Sequence, residues 1–299
     1  MYIMDSEIRS PFLVERLKLT PPPLLYHYSG PQAVIGILKN REIWATNTSF
    51  LNDFNELYEA SNTAKSVINN ILRRGGIDKD ESEILEKMHQ SAGSAAKRYY
   101  VCSFTEVGDS LSQWRAYCPT SGGYAIGFPS AHLLDLARET GWMLVKCVYD
   151  NREKYRVVTE VINSYLAEFK EKRKSESIDE QTAKDIVWRF YQHLAQIGGA
   201  IKHNSFSEEN EWRLISPNIP EQNEKIEFRP GVSSVVPYYR FPLQTEQSPN
   251  LAKHGEQTLV LRCGPTPHRT EAAQAAQFIL TRYLGGAGHG NSNIPFKGW

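Results

Sequence analysis

The chain of 299 residues has no net charge, because its 34 Lys and Arg residues balance its 34 Asp and Glu residues. This excludes a molecule-wide field that attracts nucleic acid or acidic membranes, so any such partner needs a local patch. Long apolar runs are absent as well, and Asp5 and Glu7 precede the first of the short ones. Neither a signal peptide nor a membrane span is predicted. We therefore expect a cytoplasmic protein with no membrane partner.

Cysteine is scarce. The four residues Cys102, Cys118, Cys147 and Cys263 form no C-x-x-C pair and have no His at ligand spacing. This scatter argues against a structural zinc site and against a disulfide framework. Reduced thiols are the simpler interpretation, and no metal is expected.

The common nucleotide and hydrolase fingerprints are also missing. No G-x-G-x-x-G follows a strand, and G-x-x-x-x-G-K-[ST], H-E-x-x-H and G-x-S-x-G do not occur. The glycine-rich segment at 285–290 follows a helical pattern and is predicted to be a flexible turn. The usual dinucleotide-fold, P-loop, metalloprotease and serine-hydrolase classes are thus not indicated.

What is present is an ordinary globular composition, 40% hydrophobic and 23% charged, with short strand patterns alternating with helical ones in mixed order. Strands are predicted near 24–29, 42–45, 99–105, 123–128, 143–149, 211–215, 225–241 and 257–263. This order predicts an α+β fold rather than a doubly wound sheet. Two long helices at about 151–203 are predicted to form an insertion in a single domain spanning residues 1–299.

Two distant places carry residues suited to chemistry. His27 lies inside the first predicted strand, and Glu208, Glu209 and Glu211 precede a late one. Alternation along a strand places Glu209 and Glu211 on one face, where their repulsion tends to raise a pKa unless Arg213 compensates. The acids are equally consistent with a solvated turn and an edge-strand salt bridge, and His27 with a hydrogen-bonded core histidine.

Several segments together resemble the bacterial domain of unknown function 2971. They cover nearly the whole chain, with 151–200 least distinctive, and end at Ile294-Pro295-Phe296. In chain order they are Tyr26-His27-Tyr28-Ser29, Leu51-Asn52-Asp53 with Glu56 after Trp44, the Asp109-Ser110-Leu111 to Trp114 to Tyr117 helix, Gly123 to Phe128, and Phe206 to Glu211-Trp212-Arg213.

That family is similar, remotely, to the ADP-ribosyltransferases. The resemblance implies a mixed, largely antiparallel split sheet of ADP-ribosyltransferase type with surrounding helices, and NAD as a substrate. It implies that His27 binds a ribose hydroxyl with Ser29 in the same contact, that Glu211 is the catalytic glutamate and that Glu209 is its acidic neighbour. A fixed carboxylate suits this chemistry, because breaking the nicotinamide bond builds positive charge on the ribose.

Two positions depart from the transferase pattern. Tyr28, here assigned to the cofactor site, stands where many of these enzymes have a glycine. The Tyr that stacks on nicotinamide is not fixed by the sequence: Tyr117 and Tyr124 are candidates, and Trp44 or Phe50 could replace them. Tyr117 shares a helix face with Trp114 and could equally belong to the core. Asn52, with Asp53, either lines the cleft or forms an Asx turn.

The leading hypothesis is an NAD-consuming ADP-ribosyltransferase, by resemblance a toxin or antiviral effector. Its acceptor is a macromolecule, protein or nucleic acid, that enters over residues 204–210, and an antitoxin is a possible partner. A basic run, Lys170 with Lys172, Arg173 and Lys174, either touches phosphate or faces solvent. The alternatives are a metal-dependent nuclease that uses Asp53 with the three glutamates and a ligand-binding regulatory module without turnover.

Overall fold

The computed structural model describes residues 9–51, 55–92, 99–120, 122–175 and 178–295. It shows a mixed α+β fold in which helices surround a largely antiparallel sheet of ten strands. The helices are α1 Pro11–Leu17, α2 Pro31–Asn40, α3 Asn55–Arg74, α4 Lys79–Ser91, α5 Leu111–Tyr117, α6 Ser130–Thr140, α7 Asn151–Ser175, α8 Glu180–Gly198 and α9 Arg269–Leu284. The strands are β1 Leu24–Ser29, β2 Glu42–Asn47, β3 Tyr100–Thr105, β4 Tyr124–Pro129, β5 Met143–Lys146, β6 Glu211–Ile215, β7 Ile226–Pro230, β8 Val235–Pro242, β9 Lys253–His254, β10 Gln257–Thr258, β11 Val260–Cys263 and β12 Gly288–Asn291.

The long path of the sheet runs β12-β11-β4-β1-β3-β2-β8-β7, and β6 lies between β3 and β5. β9 and β10 form a separate small hairpin. Pairing within the large sheet is antiparallel apart from β11 with β12. The α+β interpretation with a largely antiparallel sheet is therefore confirmed.

The sheet divides along one edge of β3. Tyr26 of β1 pairs with Thr105 near the end of β3, whereas Thr46 of β2 pairs with Val101 near its start. The opposite edge of β3 is paired continuously with β6 from Val101 to Thr105. β1 and β2 thus diverge on either side of Ser103, and a gap opens between them.

Two segments differ from the sequence predictions for identifiable reasons. β5 ends at Lys146 rather than continuing to 149, because Val148 leaves the sheet and forms a parallel bridge with Ile201. Glycine-rich residues 285–290 are only partly a turn: Gly285 ends α9 with φ 71°, but Gly288–Asn291 forms β12 against the free edge of β11. Strand pairing uses backbone groups that glycine supplies as well as any residue.

Hydrophobic clusters cover the two faces of the central strands. One is built from α1, α3, α4, α7 and α8 against Val101, Val145 and Ile215. The other holds α2, α6 and α9 against Phe104 and Leu214. The two predicted helices after residue 150 are present, and they share their cluster with α3 and α4 instead of standing apart. Among the described helices, none is long and apolar enough to cross a bilayer.

Candidate active site

A cleft of about 140 Å³ opens where β1 and β2 diverge from β3. Its walls come from β1, β2, β3, α5 and the segment that leads into β6. Six of the candidate residues that the sequence indicated lie on these walls: His27, Tyr28, Trp44, Tyr117, Glu209 and Glu211. The fold therefore gathers the imidazole of the first strand and the acids of the late one at a single site.

His27 reaches across the gap in the sheet. Its Nδ1 donates a hydrogen bond of 3.0 Å to the carbonyl oxygen of Ser103, the residue between the two points where β1 and β2 pair with β3. Burial lowers the pKa of His27, an effect that the bond to Ser103 opposes without cancelling. The ring is therefore neutral near pH 7, with its proton on Nδ1 and a lone pair on Nε2.

The tyrosines beside His27 are fixed by packing. A Cβ at Gly108 would lie 2.5 Å from the ring of Tyr26, and one at Gly127 would lie 2.7 Å from it, so this wall requires both glycines. The hydroxyl of Tyr28 donates to Val107 O at 2.8 Å and accepts from the amide of Ser110 at 3.0 Å. Tyr28 thus presents its ring to the cleft, while its hydroxyl supports the loop before α5.

Glu211, the first residue of β6, is 4% exposed and bound by two cations. Arg213 donates from Nε to Oε1 at 2.7 Å and from Nη2 to Oε2 at 3.1 Å, and Lys202 Nζ lies 2.6 Å from Oε2. Burial alone would raise the pKa of Glu211, but Arg213 and Lys202 outweigh it and lower the pKa to about 2. The expected compensation by Arg213 is present, and Lys202 adds to it.

Glu209 reaches the same site by a different route from the one that strand alternation predicted. It ends a 3-10 helix over Asn204–Glu209, and Asn210 turns the chain with φ 44° before β6 starts. The end of β3 holds this turn, because Thr105 Oγ1 donates to Glu209 O at 2.6 Å. The two acids therefore do not share a strand face, and what joins them is Lys202, which also lies 2.6 Å from Glu209 Oε2.

Lys202 was missed by the sequence reasoning. It is 4% exposed, follows the buried Ala200 and Ile201 beyond α8, and donates its backbone N–H to Val148 O at 3.0 Å. Its ammonium group lies 5.0 Å from the ring centroid of Phe206. A lysine directly after two apolar residues at a helix end was the only local signal. Its acidic partners are set by the tertiary fold.

The remaining predicted residues lie elsewhere. Ser29 pairs with Tyr124 at the far end of β1, and neither forms part of the cleft wall. Asn52 and Asp53 lie outside the described residues. Trp114 is 5% exposed and stacks edge-on against Tyr28, so it belongs to the core, whereas Tyr117 is 42% exposed and faces the cleft.

Two exposed aromatic side chains lie at the cleft, one beside the acids and the other on the opposite wall. The hydroxyl group of Tyr117 donates to Glu209 Oε1 at 3.5 Å. Burial, together with the charge of Glu209, raises the pKa of Tyr117 to about 12. Trp44, on β2, is 48% exposed and lines the cleft from the other side. Of the four stacking candidates, these two lie at the cleft, whereas Phe50 and Tyr124 do not.

The basic run at the end of α7 is paired with acids. Arg173 contacts Asp78, Asp80 and Glu81, and Lys170 contacts Glu81 at 3.1 Å. The solvated, salt-bridged interpretation of this run fits these contacts better than a phosphate site does.

Residues 113–214 match the model of a family described as protein of unknown function (DUF2971). This segment of the chain is similar to the DUF2971 family. Neither the curated proteins nor the solved structures contain a match to the chain. The DUF2971 match includes Tyr117, Lys202, Glu209, Glu211 and Arg213, and thus the acidic side of the cleft. His27 and Trp44 precede it, so the family model covers one wall, while β1 and β2 complete the site.

Proposed function

We propose that this protein is an NAD-consuming ADP-ribosyltransferase whose reaction takes place in the cleft between β1 and β2. The observation that carries the proposal is the meeting of His27 with Glu209 and Glu211 on the walls of one cleft. The cleft, about 140 Å³, suits a nicotinamide ring with part of its ribose, and the rest of the dinucleotide would lie outside it.

His27 binds the ribose in this proposal. Its Nδ1 proton is committed to Ser103 O, so Nε2 of the neutral ring accepts a hydrogen bond from a hydroxyl group. Lowering of the pKa of His27 by burial keeps that lone pair available at neutral pH. A ribose hydroxyl is a donor of the right kind.

We assign the carboxylate that faces the substrate to Glu209. The family resemblance gives this role to Glu211, but both oxygens of Glu211 are bonded to Arg213 and Lys202. The side chain of Glu209 is 17% exposed and contacts Lys202 through Oε2 only, so Oε1 faces the cleft beside Tyr117. A carboxylate there stabilises positive charge that develops on the ribose as the nicotinamide bond breaks. Glu211 then acts as a positioning residue through Lys202.

The arrangement also bears on the nuclease alternative. Metal ligation by Glu211 would have to displace two cations that already hold its oxygens. Within the described ranges, no three His, Cys, Asp or Glu residues are grouped as a metal site. The two cations that hold Glu211 thus favour transferase chemistry over metal ligation. It stays a prediction that the acceptor is a macromolecule, that an antitoxin is a partner and that the protein acts as a toxin or antiviral effector.

The test is release of nicotinamide from labelled NAD in the presence of cell extract. We expect the parent to release nicotinamide and transfer label, and Glu209→Gln and His27→Ala to lower the rate by about a hundredfold or more. Glu208→Gln is the matched control, because Glu208 is an exposed acid on the same 3-10 helix outside the cleft wall. Intact NAD with the parent, or equal rates for Glu209→Gln and Glu208→Gln, would refute the proposal.

A further inference from the structure

Beside the cleft, β2 and β8 carry a stacked aromatic pair. The rings of Trp44 and Tyr238 lie 4.2 Å apart between centroids, with 26° between their planes. Tyr238 is 7% exposed, whereas Trp44 is 48% exposed and lines the cleft. Tyr238 therefore supports one side of a tryptophan whose remaining surface is open to solvent at the cleft rim.

Two arginines share this face of the sheet. Arg240 is the cross-strand neighbour of Trp44, and its Nε is buried with no hydrogen-bond partner among the described residues. Arg229 on β7 reaches over the same face and donates from Nη2 to Thr46 Oγ1 at 3.4 Å. Thr46 is itself part of the cleft wall. Because this Nε is closed to solvent, a ligand on this face would meet the outer nitrogens of the Arg240 guanidinium. An anion there would balance the charge of the two arginines.

The charge around the pair is balanced. Glu42 and Glu227 act on Tyr238 together with Arg229 and Arg240. A groove that binds a nucleic-acid strand needs a positive track as well as stacking rings. This face instead offers one ring surface and a small number of donors and acceptors, which suits a single base with its phosphate.

We propose that Trp44, supported by Tyr238 and flanked by Arg240 and Arg229, forms a subsite for one nucleotide, whose base stacks on Trp44 and whose phosphate meets the arginines. The assignment of this subsite to a substrate site rests on the proposed function, which places the reaction in the adjoining cleft. Binding of a nucleotide at Trp44 does not depend on it, because no bond has to break.

The test is calorimetric titration of the full chain with AMP, which has no nicotinamide bond. Loss of one stacked base contact corresponds to about tenfold in affinity, so we expect the dissociation constant to rise by that factor in Trp44→Ala. Trp188→Ala is the matched control, since Trp188 is a 53% exposed tryptophan on α8 that also has an aromatic neighbour, Tyr191, at 5.6 Å. Arg240→Gln leaves the aromatic pair in place and should also weaken the binding of AMP by several-fold.

The outcomes separate the two proposals. AMP binding that depends on Trp44 and Arg240 supports the subsite even if NAD stays intact, whereas NAD cleavage without AMP binding supports only the proposed function. An unchanged dissociation constant in Trp44→Ala and Arg240→Gln, or no AMP binding by the parent at millimolar concentration, overturns the subsite. A parallel titration with oligoadenylates of increasing length should give no gain per nucleotide. Affinity that rises with length would overturn the single-nucleotide assignment in favour of a strand.

Discussion

Lys202 shows how a single side chain organises the acidic wall. Its ammonium group lies 2.6 Å from Glu209 and 2.6 Å from Glu211 in a place where it is 4% exposed. Because the surrounding protein excludes water from Glu211, that carboxylate could not exchange this partner for solvent at low cost. Glu211 therefore depends on Arg213 and Lys202 for its charge state, and both acids depend on Lys202 for their position.

Removal of this charge should be strongly destabilising. We expect Lys202→Met to lower the free energy of unfolding by about 3 kcal/mol, because a buried carboxylate loses a partner. Lys146→Met is the control: Lys146 forms an equally short pair, 2.7 Å to Glu106, but its side chain is 29% exposed, so we expect a loss below about 1 kcal/mol. Urea unfolding of the two variants measures the difference. Equal losses would show that burial does not set the strength of the Lys202 pairs.

The pKa of Glu211 predicts an acid-dependent component of stability. The folded protein lowers this pKa from 4.5 to about 2. A lowered carboxyl pKa stabilises the folded state fully above pH 4.5, and this contribution is lost as the pH falls from there toward 2. The parent should therefore lose up to about 3 kcal/mol in that interval that Glu211→Gln does not lose. Urea titrations at pH 7, 4 and 3 compare the two proteins, and parallel pH curves would contradict this account.

At the scale of elements, the turn at Asn210 aligns the two acids. It has φ 44°, and its carbonyl accepts a hydrogen bond of 3.3 Å from the amide of Glu106 beyond the end of β3. The turn thus connects the 3-10 helix that ends at Glu209 with the strand that starts at Glu211. The relative position of Glu209 and Glu211 therefore depends on the left-handed backbone conformation of Asn210.

Substitutions at Asn210 should separate conformation from chemistry. Asn210→Gly keeps the positive φ accessible and should change stability little, whereas Asn210→Val should cost about 1 to 2 kcal/mol, because a β-branched residue is strained there. Thermal unfolding measures this difference. In the nicotinamide-release assay, Asn210→Val should also lose activity through displacement of Glu209, with Asn210→Gly near the parent. A Val variant as stable and active as the Gly variant would contradict the role of the turn.

The sequence predicted those helices and strands whose own residues favour the conformation. The apolar strand before Gly30-Pro31 and the helix that starts at Pro31 both form, because proline at a first helical position is preorganised. The strand at Gly288–Asn291 was missed, because it depends on the open edge of β11. The proximity of His27 to the acids could be expected only through the family resemblance. Lys202 could not, since its position depends on the bridge between Val148 and Ile201.

At the scale of the whole molecule, β3 and β6 connect the two hydrophobic clusters. Leu214 is 0% exposed and points into the cluster with α2, α6 and α9, while the adjacent Ile215, also 0% exposed, points into the helical one. Successive residues of β6 thus pack into the hydrophobic clusters on opposite faces of the sheet. The helices after residue 150 pack against the same strands as the cleft, so the site and the predicted insertion share their support.

This shared support predicts one cooperative unfolding transition. Leu214→Ala and Ile215→Ala each remove a buried side chain from a different cluster, and each should cost about 2 to 5 kcal/mol. Tryptophan fluorescence reports mainly on one cluster through the buried Trp142 and Trp212. Far-UV circular dichroism reports mainly on the other, which holds the long helices α3, α4, α7 and α8. In both variants the two signals should change at the same urea concentration, lower than in the parent, because neither cluster can open without exposing the strands between them. A helical signal that is lost first in Ile215→Ala, with tryptophan fluorescence still native, would instead show that residues 1–299 contain two separable units.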